Sequence, residues 1–271
     1  MAGRSKLAGL ALILSLLLPV WFMAAALGVK FGLWSWRLGL GVLIVQWGPR
    51  LLIAAGVIAL IALFAVLIRK PRRGWQAAAI ALLIPVLGLG YMVWVRSQSA
   101  DIPPIHDVAT DSADPPTPSA RLLALRMAED ANPVLDMTAP LSAAEAYRSP
   151  RFASFGQQSL GQVGHEAYPT LRTLYVDVAP PAAFATVREA AQSIGWTLGT
   201  EDERSGMIEA TAETFWFGFK DDIIIRVRPA TTGTGSQIDV RSISRVGLGD
   251  LGANAKRIER YLSQVSAELG R

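Results

Sequence analysis

Arg241-Ser-Ile-Ser-Arg245-Val-Gly247-Leu-Gly249-Asp250-Leu-Gly252-Ala-Asn254-Ala-Lys256-Arg257-Ile258 carries the chain from an alternating strand, through a glycine turn, into an amphipathic helix. Leu251, Ala255, Ile258, Leu262, Val265 and Leu269 follow at spacings of 4, 3, 4, 3 and 4, an apolar stripe fit to cover one sheet face. Formally, Gly247-x-Gly249-x-x-Gly252 matches the dinucleotide fingerprint, where glycines bring a pyrophosphate to a helix N-terminus inside a βαβ unit. Only 19 residues follow Gly252, too few for a second parallel strand and its acidic residue. Asp250 also stands where a phosphate would need free N–H groups, so it reads as the cap of the helix.

Working outward, Asp222–Arg228 and Gln237–Arg245 read as a hairpin around Thr231-Thr-Gly-Thr-Gly235. One face takes Ile223, Ile225, Val227, Ile238 and Val240. The other takes Ile224, Arg226, Arg228, Asp239, Arg241, Ile243 and Arg245. Ile208, Ala210 and Ala212 alternate in a preceding strand, behind a turn at Asp202–Gly206 and a short strand at Trp196–Thr200. Phe184, Val187, Ala191 and Ile194 keep helical spacing up to Gly195, and Leu174, Val176 and Val178 mark a strand ending at Pro180-Pro181. A short helix is expected over Ser119–Ala131, while the stretch from there to Tyr168 has too little periodicity for an assignment. Alternating strands with two helices on one side argue for an α+β, mainly antiparallel sheet rather than a doubly wound one.

The N-terminal part is of a different kind. Leu7–Leu27, Leu51–Ile68 and Trp75–Val95 are apolar, free of ionisable residues and within the roughly 17–25 residues that span a bilayer. Leu38–Trp47 either lies in the interface or lengthens the second helix. Leu7–Leu27 has the features of a signal peptide too, with Ala24-Ala-Ala26 as its cleavage-like site, but its apolar run is longer than a usual signal core. All 22 acidic residues follow residue 96, against 10 of the 26 basic ones before it, so the first part carries +10 and the second −6. The high pI therefore comes from membrane-flanking charges, not from a nucleic-acid footprint. With the N-terminus inside, Arg4, Lys6, Arg69, Lys70, Arg72 and Arg73 are cytoplasmic, against Lys30, Arg37, Arg50 and Arg96 outside. The expected organisation is a three-helix anchor (1–96), a Pro/Asp-rich tether (97–120) and an extracytoplasmic α+β domain (121–271).

Candidate chemistry is sparse. No cysteine occurs, and His106 and His165 have no second histidine at ligand spacing, so neither a metal nor another cofactor is expected. His106-Asp107 in the tether is either an acid–base pair or part of a turn laid over the domain surface. Arg226, Arg228, Arg241 and Arg245 share a face answered within the hairpin only by Asp239. They would grip a carboxylate or phosphate, or else pair as a solvated sheet surface. Phe215-Trp216-Phe217-Gly218-Phe219 places four aromatics in five residues, either as core under a loop or as a contact for an apolar ligand or the bilayer. Trp216, Phe217 and Phe219 thus join the four arginines as candidate ligand-binding residues. Asp221-Asp222 cannot share a proton on a regular strand, since neighbours point to opposite faces, and Asp221 reads as a turn residue.

Phe217-Gly-Phe219-Lys-Asp221-Asp222, Asp239-Val-Arg241-Ser-Ile-Ser-Arg245-Val-Gly247 and Asp250-Leu-Gly252-Ala-Asn254-Ala-Lys256-Arg257-Ile258 resemble the bacterial family called domain of unknown function 1499. His106-Asp107, Thr110-Asp111 and Pro115-Pro116 resemble its N-terminal edge, with Ala109 where a second threonine is expected. The resemblance, over about residues 101–268, implies an envelope-associated domain and supplies no catalytic residues. The expected protein is anchored in the bacterial inner membrane, with a periplasmic, non-catalytic binding or assembly module. Its expected partners are the membrane and an anionic lipid or envelope protein. The rival is an envelope hydrolase using His106, the aspartates and the arginine face.

Overall fold

The computed structural model describes residues 2–68, 70–231 and 234–270. Arg69 of the cationic turn, and Thr232 and Gly233 of the hairpin loop, lie outside the described residues. Two compact units result, one of Met1–Asp101 with Phe215–Gly218, the other of Ile102–Thr214 with Phe219–Arg271.

The first unit is built from α1 (Ala2–Lys30), α2 (Gly48–Leu67) and α3 (Trp75–Gln98). A wide, π-helical coil over Arg37–Trp47 runs straight into α2, so Leu38–Trp47 lengthens the second helix. Three helices, Ser5–Lys30, Arg37–Leu67 and Trp75–Gln98, are long and apolar enough to cross a membrane. They pack through small residues. Ala8 and Ala11 of α1, Ala59 and Ala62 of α2, and Ala78 and Ala81 of α3 form one buried cluster. Alanine keeps the backbones close where no hydrophobic effect would drive helices together in lipid.

The second unit is an antiparallel sheet of six strands: β1 (Asp107–Ala109), β2 (Leu174–Val176), β3 (Thr197–Asp202), β4 (Met207–Glu213), β5 (Lys220–Pro229) and β6 (Ser236–Ser244). Their order is β1-β6-β5-β4-β3, with β2 beside β1 on the outer edge of β6. The β5–β6 register pairs Ile225 with Val240 and Val227 with Ile238 on one face, and Ile224 with Arg241 and Arg226 with Asp239 on the other, as the alternation requires. On the apolar face lie α6 (Pro180–Ser193), with Ala183, Val187, Ala190 and Ala191 fully buried, and α7 (Ala253–Leu269). In α7, Ala255, Ile258 and Val265 are buried as the stripe predicts. Leu251 is not: it precedes the helix with φ 56° and its side chain is exposed. Tyr261, off the stripe, is fully buried instead, because its hydroxyl donates to the Val187 carbonyl at 2.7 Å.

Two parts go beyond the sequence reading. Residues 102–120 count with the domain unit, and β1 within them pairs with Arg241–Ile243 of β6. Between Ala131 and Tyr168 the chain forms short 3-10 turns and α5 (Leu160–Ala167). Ser159 and Gln162 close a reciprocal capping box at the start of α5.

Candidate functional site

The second sheet face is covered by the segment that follows β1. Ser119 caps α4 (Ala120–Ala128), accepting from the Leu122 amide at 3.2 Å, and Leu122 packs on Ile224 and Ile243. Around this small apolar patch lie the four predicted arginines, and the covering segment brings them carboxylates that the hairpin lacks. Arg241 forks onto Asp107, Nε to Oδ1 at 2.9 Å and Nη2 to Oδ2 at 2.7 Å. Arg245 meets Asp222 at 2.6 Å and Glu129 at 2.6 Å, and Arg126 of α4 forms a further ion pair with Asp222. Arg226 and Arg228 converge on Asp239 at 3.2 and 2.9 Å and both pair with Asp114. Thr110 and Thr173 donate to the same Asp239 oxygen.

Arg126, Arg226, Arg228, Arg241 and Arg245 are thus matched by Asp107, Asp114, Glu129, Asp222 and Asp239. Within the hairpin Asp222 joins Asp239 in answering them, and Asp107, Asp114 and Glu129 come from distant sequence. Asp107, Asp222 and Asp239 are 1% exposed or less, and Arg126, Arg241 and Arg245 are at most 5% exposed. Charges this dry hold position only while mutually paired. Arg228 and Asp114 form the open rim of the layer, with side chains 31% and 60% exposed. The two arginines hold the Asp114 carboxyl below its ordinary pKa, chiefly through the hydrogen bond from Arg228.

His106 is neither an exposed turn residue nor half of a dyad with Asp107. It is buried, its Nδ1 lies 3.0 Å from the Tyr147 hydroxyl, and that hydroxyl donates to the Leu248 carbonyl at 3.0 Å. A hydroxyl has one proton, so with that proton donated to the Leu248 carbonyl Nδ1 is the donor to Tyr147 in the neutral ring. Burial lowers the His106 pKa, against the opposing pull of Asp107. Asp107 itself turns to the other sheet face and serves Arg241.

At the glycine turn, Asp250 accepts from the amides of Gly252 at 2.8 Å and Asn254 at 2.8 Å. It therefore fills the N-terminus of α7, although Gly252, at φ 77°, occupies the first capping position. Burial raises the Asp250 pKa, and the two amides pull it back. A Cβ on Gly249 would lie 3.1 Å from Pro104, so this glycine serves the approach of the chain's own backbone and no pyrophosphate. Behind the turn, Asn254 bridges Ser242, Ser244 and the His106 carbonyl. Asp221 and Asp222 do point to opposite faces. Asp221 is a strand residue rather than a turn residue and pairs with Arg257 of α7 at 2.5 Å.

The aromatic run divides. Phe219 stays with the domain unit, whereas Phe215–Gly218 count with the membrane unit. Phe215 and Trp216 are 72% and 49% exposed, so they are not core under a loop, and their rings meet edge to face. Lys30 Nζ donates to the Phe215 carbonyl at 2.7 Å. Sequence reasoning missed Arg126 and Glu129, on the expected short helix and its end, and Tyr147, where periodicity is weak. The expectation of a short helix near Ser119 was the nearest pointer to Arg126.

No curated protein matches the chain. The sequence pattern of the family described as "Protein of unknown function (DUF1499)" matches residues 107–265, from the first residue of β1 into the last turns of α7. That span is more than half of the chain, and it holds the strands, the charged layer and the glycine turn described above; the protein belongs to the DUF1499 family.

Proposed function

We propose that this DUF1499 member is a bacterial inner-membrane protein with a cytoplasmic N-terminus, whose periplasmic domain acts as a non-catalytic binding or assembly module of the cell envelope. The observation that carries the reading is the closure of the charged layer. His106, Asp107, Asp222, Arg241 and Arg245, the groups a hydrolase would use, are buried and held by one another, by Tyr147 or by Glu129. General acid–base work needs a group within reach of a substrate proton, and among the described residues these side chains meet structural partners. Three membrane-length helices support the anchor. The bias of six basic residues against four on the two sides supports the orientation.

The test is photo-crosslinking in cells. A photoreactive residue at Tyr175 or Leu251, both exposed on the domain, should give discrete adducts with an envelope protein or lipid. If the purified protein instead turns over an envelope ester or peptide, and His106→Gln abolishes turnover at unchanged stability, the non-catalytic reading falls.

A further inference from the structure

The membrane unit contains a groove that the charged layer does not explain. Phe22 and Met23 of α1, Leu40 in the coil before α2, Leu52, Met92 of α3 and Trp216 enclose about 420 Å³, walled almost wholly by apolar atoms. That is within the roughly 300–1,000 Å³ of small-ligand sites. Two glycines close the helices on either side of it. A Cβ on Gly88 would lie 2.7 Å from Leu52, and one on Gly48 would lie 2.9 Å from the Phe22 ring.

Cations flank the groove lining: Lys30 stands four residues after Ala26 and donates to the Phe215 carbonyl beside Trp216, Arg50 stands two residues before Leu52, and each lies against an aromatic ring. Lys30 lies 4.7 Å from the Phe215 centroid, Arg37 5.1 Å from that of Trp36 and Arg50 5.7 Å from that of Trp47. Residues 1–96 contain no carboxylate, and none of these three cations joins an ion pair among the described residues. Aromatic and cationic side chains at the end of a span sit at the depth of lipid headgroups, and an uncompensated cation there attracts anionic ones. In a bilayer such an apolar groove, next in sequence to these cations, would face acyl chains.

We propose that this groove binds one acyl chain of an anionic membrane phospholipid, with Lys30 and Arg50 taking its phosphate. The assignment deepens the binding role above and rests on its membrane reading. Phospholipid is favoured over a partner helix because cations outside any described ion pair neighbour the apolar lining residues Ala26, Trp216 and Leu52, matching the headgroup and tail of one molecule.

The experiment uses the full-length protein in phosphatidylcholine nanodiscs containing phosphatidylglycerol with a photoreactive acyl chain. Adducts should concentrate on Met23, Leu40 and Met92 relative to the outward-facing Ile13, Ile53 and Ile61. Met23→Trp, at a half-exposed wall position, should cut groove labelling by about tenfold, the equivalent of 1.4 kcal/mol, with labelling elsewhere unchanged. Lys30→Gln with Arg50→Gln should abolish the preference for phosphatidylglycerol over a phosphatidylcholine probe. Uniform labelling along the three helices, or no headgroup preference in the native protein, overturns the site. So does a copurifying polypeptide that blocks groove labelling. Failure of the membrane reading is separately visible, as release of the protein from native membranes by alkaline carbonate.

Discussion

At Asp222 a single carboxylate, wholly buried, answers two arginines and the Thr211 hydroxyl. Asp222→Ala leaves Arg126 and Arg245 without that anion in a dry layer, so it should cost about 3–5 kcal/mol in chemical denaturation of the domain. Arg188→Ala breaks a pair with Glu201 that is 40% and 33% exposed, and should cost no more than about 1 kcal/mol. Asp250→Ala should cost about 1 kcal/mol through two lost cap bonds, and Asp250→Asn less, since Asn keeps an acceptor. His106 gives a pH signature. Its folded pKa is lowered, so below the unfolded value of about 6.5 the unfolded chain takes up a proton that the fold refuses. Stability should therefore fall as pH drops from about 6.5 to 5, above the range where most carboxylates titrate. His106→Gln should flatten that limb of the stability curve; an unchanged slope would show that another group causes it.

The elements were legible wherever local pattern and tertiary role agree. The alternation of β5 and β6 set both faces of the hairpin, and the stripe of α7 named Ala255, Ile258 and Val265 correctly. β1 was not legible, because three residues amid prolines and aspartates become a strand only by pairing with β6. The partners of Arg241 and Arg245 were hidden for the same reason: Asp107 and Glu129 lie more than one hundred residues upstream and arrive only with the fold. The capping box of α5 was present in the sequence as Ser159-x-x-Gln162, without an apolar period strong enough to draw attention. At Gly206 local chemistry and packing coincide. Its φ is 69°, and a Cβ would lie 2.0 Å from the Val227 carbonyl oxygen. Gly206→Ala must therefore move the β3–β4 turn off β5, and should cost more than the roughly 1 kcal/mol typical of an ill-fitting glycine replacement. Thermal denaturation checks this, and a variant as stable as the native domain would contradict the contact.

For the whole molecule, composition alone separated a +10 membrane part from a −6 domain, and the three helices and the sheet follow that division. What composition could not give was the role of the domain's charge. The predicted arginines meet carboxylates brought by residues 107–129 together with Asp222 and Asp239. The central claim is that a closed, non-catalytic domain is displayed outside the membrane by three spans. Every envelope partner proposed for it depends on that location. It is tested most directly by alkaline-phosphatase fusions, since the enzyme is active only when exported. A fusion after residue 271 should be active and one at Gly74 silent. A silent fusion after residue 271 and an active one at Gly74 would contradict the account.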